Sequence, residues 1–256
     1  MTEVRHYIKR MFNDRVDEVI TQNAYKYSID TGWTKIQDEY SEDTGWIKSP
    51  VEVKSPVEMV KEDRIFFMEY VGLYGLALQF ASYEIQNDCE IVKAAVHQNG
   101  KALQYASLDL RRNPEVVMIA VKQTGLALAY ASLDLRRDRK VVMTAVQKSG
   151  MALAYASEEL RKDREVVMTA VKTFGCALEY ASEELRRDRE VVITSARQNG
   201  CSLLYAPDNF RRDREIMLVA IQSNAISLDL APPELREELK NDTSDTERLK
   251  YLNVKY

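Results

Sequence analysis

The chain of 256 residues is poor in the side chains that most often carry chemistry. It has two histidines, His6 and His97, and three cysteines. An odd, scattered set of thiols builds no disulfide framework and offers no CxxC metal spacing, so a reducing compartment suits it. Two isolated histidines do not supply a His-based active site. Lys and Arg number 36 against 40 Asp and Glu, a formal net charge of −4 that excludes a bulk basic surface. No stretch approaches the roughly 20 uninterrupted apolar residues of a bilayer span. Met1 to Ile20 mixes acids with bases and has no apolar core, so it resembles neither a secretory signal nor a transit peptide. The expected location is cytoplasmic, with the nucleus as alternative. GxxxxGK(S/T), GxGxxG after a strand, and HExxH are all missing. The expectation is a protein that is not an enzyme, with no cofactor, no metal and no small-molecule substrate. The 45% hydrophobic and 30% charged content is that of a folded chain.

What the sequence has in abundance is repetition. Gly75, Gly100, Gly125, Gly150, Gly175 and Gly200 are spaced by 25 without slippage. The same period runs through Asp63, Asp88, Asn113, Asp138, Asp163, Asp188 and Asp213, and through Tyr105, Tyr130, Tyr155, Tyr180 and Tyr205. Seven units cover residues 63–237, and Asp163 to Arg187 (DREVVMTAVKTFGCALEYASEELRR) is representative, with positions 1 to 25 counted from its Asp.

Position 1 reads as a helix N-cap, because an Asp or Asn side chain accepts from free first-turn amides. Pro114 at position 2 agrees, since a first helical residue needs no N–H. Apolar residues at positions 4, 5, 8 and 9, such as Val166, Val167, Ala170 and Val171, make one helical face. The glycine at position 13 reads as a C-terminal cap with positive φ, which gives a first helix over about positions 2 to 12. Ala177, Leu178, Tyr180 and Ala181 form a second apolar cluster. Pro207 and Pro232 stand at position 20, where other units have Ser, and proline inside a helix costs roughly 3 kcal/mol. A second helix therefore ends near position 19, and one short turn carries the position-23 leucine inward. A unit this small buries little alone and is satisfied by stacking on its neighbours. The expected fold is all-α, an α-solenoid roughly 60 to 70 Å long for helices spaced about 8 to 10 Å apart. At that spacing Cys176 and Cys201, one unit apart, are too distant to bridge.

The pattern D-x-E-V-V-x-x-A-V-x-x-x-G-x-A-L-x-Y-A-S-x-E-L-R resembles the tandem helical repeats of the family domain of unknown function 4116, over about two thirds of the chain. The resemblance implies a repeat scaffold and no catalytic activity. Ile65 in place of the position-3 acid, Ala225 in place of the glycine and Leu230 in place of the tyrosine mark the first and last units as capping repeats.

Outside the array, residues 1–20 carry Val4, Ile8, Met11, Phe12, Val16, Val19 and Ile20, an amphipathic helical stripe that either covers the end of the solenoid or docks on a partner. Residues 21–62 read as an irregular arm. In it DTGW occurs at Asp30 to Trp33 and again at Asp43 to Trp46, followed by SPVEVKSPVEMVK. Trp33 and Trp46 either pack the arm onto the solenoid or anchor another protein. Ser49 and Ser55, each between Lys and Pro, are candidate phosphorylation sites. Residues 238–256 read as a C-terminal cap or tail.

Two binding readings follow. One is a protein partner held by the extended surface, with Trp33, Trp46 and Phe174 as contact candidates and the variable positions 10 to 12 giving distinct chemistry along a line. The other is single-stranded RNA on a ladder of Arg112, Arg137, Arg187 and Arg212 beside Tyr130, Tyr155 and Tyr180. Against the second, residues 88–237 hold 22 Lys and Arg against 21 Asp and Glu. The paired bases at positions 24 and 25 are expected to be consumed by the next unit's position-1 Asp and position-3 Glu. The tyrosines are expected to stack as a core ladder with hydroxyls at its edge. A protein-binding scaffold is the leading reading.

Overall fold

The computed structural model describes residues 64–241, with Phe66 and Asn241 described in their backbone alone. Residues 1–20, the arm at 21–62 with Trp33 and Trp46, and the tail beyond 241 lie outside the described residues. Among the described residues every regular element is helical, and the units share an α-helix followed by a 3₁₀ helix while differing in the closing turn. The fifth unit has an α-helix over Arg164–Thr173, a 3₁₀ helix over Gly175–Tyr180 and one α-turn over Glu183–Arg186.

The local chemistry sets these limits. Asp163 accepts from the amides of Glu165 and Val166, and Asp188 from those of Glu190 and Val191. Asp138 caps its helix through the Val141 amide. The helix stops one residue earlier than its sequence suggests, at position 11, because position 12 is extended. Phe174, for example, has φ −150° and ψ 99°. Its carbonyl accepts from the Ala177 amide at 2.8 Å, an i to i+3 bond that starts the 3₁₀ segment. The second helix is thus 3₁₀ and not α, and it closes at position 18. Ser157 and Ser182 at position 20 then cap the last turn through the amides of Leu160 and Leu185, as the serine-or-proline alternation implies.

First helices pack on first helices of adjacent units, and 3₁₀ helices on 3₁₀ helices. Val166, Val167, Ala170, Val171, Ala177 and Leu178 have no accessible surface, and their counterparts continue this core from unit to unit. Burying each such Val or Leu is worth about 1.5–3 kcal/mol. The arrangement is an α-solenoid.

The position-13 glycines serve a purpose other than the expected one. None has a positive φ. A Cβ on Gly175 would stand 2.6 Å from the Ser195 carbonyl oxygen of the next unit, and one on Gly150 would collide with the Ala170 carbonyl and sit 2.8 Å from Phe174 Cβ. Gly125 faces Ala145 in the same way. Glycine is needed so that the next first helix can approach, and Ala225 stands where the seventh unit ends the series.

Unit contacts are also polar. Ser132, Ser157 and Ser182 donate their amides to the position-24 carbonyls of the preceding units, Arg111, Arg136 and Arg161, at 3.0 Å. Pro207 and Pro232 have no N–H to donate, so this strut is missing at the last two junctions. The acids at positions 1 and 3 pair with the position-2 arginine of the preceding unit. Arg139 reaches Asp163 at 2.9 Å and Glu165 at 2.5 Å, and Arg164 reaches Asp188 at 2.9 Å and Glu190. Arg189 continues the series to Asp213 and Glu215. This corrects the expectation that the arginines at positions 24 and 25 take these acids. First turns of successive units lie side by side, whereas sequence neighbours across a cap point apart. The first unit shows the end of the series: Ile65 and Leu73 occupy positions that face backward in later units, and both are exposed. At the other end, the last helix runs over Pro233–Asn241, continues past residue 237 and buries Leu239.

Candidate functional site

Positions 10 and 11 are exposed and variable, position 12 is half-buried, and some of these side chains also bond within the array. Gln98 Oε1 accepts from the Gly75 amide at 2.8 Å, and Thr173 Oγ1 donates to the Val146 carbonyl at 3.1 Å. At position 12, Asn99 and Asn199 accept from the amides of Lys101 and Cys201. Gln98 and Thr173 thus tie adjacent units, Asn99 and Asn199 cap the 3₁₀ helix of their own unit, and positions 10 and 11, with His97 and Gln98 among their occupants, are exposed throughout the array. Phe174 is half-buried against the core. Cys89, Cys176 and Cys201 are free thiols, and burial pushes the Cys176 thiol up from its ordinary range, away from the reactive thiolate.

The tyrosines form a half-buried row in which Tyr155, at 38%, is the most exposed of Tyr130, Tyr155 and Tyr180. Burial raises the phenol of Tyr180, and the neighbouring Glu179 adds to the shift. Base stacking needs an open ring face, and Tyr130 and Tyr180 are half-buried against the core.

The position-25 cations differ from unit to unit. Arg187 pairs with Glu183 one turn back at 2.5 Å. Among the described residues, the side chains of Arg112, Arg137 and Arg212 are exposed and make no hydrogen bond or ion pair, although the Arg137 charge acts on Glu159, whose carboxyl is lowered first by hydrogen bonds to its own amide and Ser157 and then by Arg137 and Lys162. The units also differ at position 21. There the fifth unit has Glu183, while the second and third have Leu108 and Leu133, and the first has Tyr83. These three side chains are 64%, 67% and 63% exposed. Three successive turns therefore present an apolar row, flanked in two of them by an exposed arginine whose side chain makes no hydrogen bond or ion pair among the described residues. Sequence reasoning about the array overlooked this row, although its signal was available: one position holds apolar residues in three successive units and acids at Glu158, Glu183 and Asp208.

The family described as Domain of unknown function (DUF4116) matches residues 63–111, 90–136, 113–161, 138–186, 163–211 and 188–236. The chain belongs to this family. Successive matches start 23 to 27 residues apart and each spans 47 to 49 residues, about two structural units. No curated protein and no solved structure matches the chain. Among the described residues of this DUF4116 array, no helix is long and apolar enough to cross a membrane.

Proposed function

We propose that this protein is a non-enzymatic scaffold that binds another protein along its helical array. The observation that supports the reading is the exposed row of Tyr83, Leu108 and Leu133 with Arg112 and Arg137. Large apolar side chains at more than 60% exposure, repeated at one place in three adjacent units, combine desolvation energy with charge that orients a partner. RNA is the second reading, favoured by the unpaired Arg112, Arg137 and Arg212 and opposed by the packed tyrosines and by leucines where stacking rings would be wanted.

Tagged full-length protein recovered from its host extract, with and without nuclease, tests both readings. The expected result is a nuclease-resistant protein partner that is lost with Leu108→Asp/Leu133→Asp at unchanged helical circular dichroism. Nuclease-sensitive RNA, retained by the leucine variant and lost with Arg112→Glu/Arg137→Glu, overturns the scaffold reading.

A further inference from the structure

The exposed row and the N-terminal arm answer each other residue for residue. The row contains one hexapeptide twice, SLDLRR at Ser107 to Arg112 and at Ser132 to Arg137, and each copy exposes a leucine and an arginine four residues on. The arm contains one tetrapeptide twice, DTGW at Asp30 to Trp33 and at Asp43 to Trp46. Each copy of DTGW offers one carboxylate and one indole. Each copy of SLDLRR carries two bases against one acid, with an arginine whose side chain makes no hydrogen bond or ion pair among the described residues and a leucine more than 60% exposed. Between Asp30 and Trp46 there are five acids, Asp30, Asp38, Glu39, Glu42 and Asp43, against one base, Lys35. The charge of the arm is opposite to that left on the row.

Connectivity allows the match. Trp46 precedes the array by 17 residues, a tether that spans up to roughly 55 Å at about 3.3 Å per residue. The row starts in the first unit, and its two duplicated stations lie in the second and third, at steps of about 8 to 10 Å. The thirteen residues from one tryptophan to the next cover that step with slack. The next two units discriminate against the same docking. Glu158 and Glu183 replace the leucines, and Glu183 already satisfies Arg187.

We infer that residues 30–46 of this chain dock on the Tyr83, Leu108 and Leu133 row, with Trp33 and Trp46 covering the leucines and the arm's carboxylates facing Arg112 and Arg137. An indole laid over a leucine removes apolar surface from water on both sides, and it also places its π face within reach of the guanidinium one turn on. The inference rests on the reading of the row as a protein-binding surface.

The protein supplies its own probe, because Trp33 and Trp46 are its two tryptophans. Fluorescence of the full-length chain, with acrylamide and iodide as quenchers, therefore reports on the arm alone. The expected result is a wild type whose indoles are shielded, independently of protein concentration. Leu108→Asp/Leu133→Asp should raise the quenching constants, each substitution lowering the docked-to-free ratio by about tenfold, which corresponds to about 1.4 kcal/mol. Arg112→Asp/Arg137→Asp should do the same, and Asp30→Arg/Asp43→Arg in that background should restore shielding. Indoles freely quenched in the wild type, or shielding that survives both row variants, overturn the inference. Shielding that appears as concentration rises assigns the arm to a second copy and overturns docking within one chain. Partner capture reads the row and quenching reads the arm, so failure of either reading is visible separately.

Discussion

Units four and five meet across alanine, while units five, six and seven meet across serine. Ala170 and Ala177 line the close approach of helices in the fifth unit; the same places hold Ser195 and Ser202 in the sixth and Ser227 in the seventh, all without accessible surface. Ser195 Oγ is within reach of both the Gly175 carbonyl, at 3.2 Å, and Ser202 Oγ, at 2.5 Å. Ser227 Oγ is buried and has no hydrogen-bond partner among the described residues. The comparison shows that the junction selects size before polarity. A hydroxyl enters because it is small, and whether it stabilises depends on finding an acceptor.

The sharpest way to break that equivalence is to change size. Gly150→Ala sets a methyl against the Ala170 carbonyl and Phe174, and overpacking of this kind costs about 1–3 kcal/mol. The reverse exchange at the array's end, Ala225→Gly, removes a methyl with no following glycine-type junction and should cost under about 1 kcal/mol. Urea denaturation of both variants measures the difference, and equal losses would show that glycine is required for its own unit's backbone and not for the neighbour's approach.

Changing polarity at constant size should have a smaller effect. Ser227→Ala removes an unpaired buried hydroxyl and is expected to stabilise the array by about 1 kcal/mol. A lower denaturation midpoint for Ser227→Ala would mean that the hydroxyl has found a partner.

The same contrast explains how much the sequence disclosed. The period, the capping Asp at 138, 163 and 188, the short last turn and the inward leucine at position 23 were legible because each depends on residues within one unit. The roles of Gly125, Gly150 and Gly175 were misread because the obstacle is a carbonyl 20 residues ahead, and a glycine after a helix looks like a cap from its local neighbours. The arginine pairing was misassigned for a related reason: Arg187 adjoins Asp188 in the chain, but Arg164 adjoins it in space. The apolar row at Tyr83, Leu108 and Leu133 was readable in principle, by comparing units at a position where the average residue is an acid.

Removing one ion pair should have the smallest effect, and it carries a defined pH signature. The Asp188 carboxyl is held below its ordinary range by the Arg164 guanidinium, with burial opposing and the amides of Val191 and Glu190 assisting. A carboxyl whose folded pKa lies below its unfolded value contributes stability above the unfolded value, near 3.9, and loses it as pH falls through the folded one. Arg164→Gln should therefore lower the denaturation midpoint at pH 7 by the equivalent of under about 1 kcal/mol, since the guanidinium is half exposed. The gap between variant and wild type should hold down to about pH 5, close as pH falls below about 4, and shrink in high salt. A gap that persists at pH 2 would assign the contribution of Arg164 to packing of its methylene stem, and the junction between units five and six would then owe nothing to charge at that place.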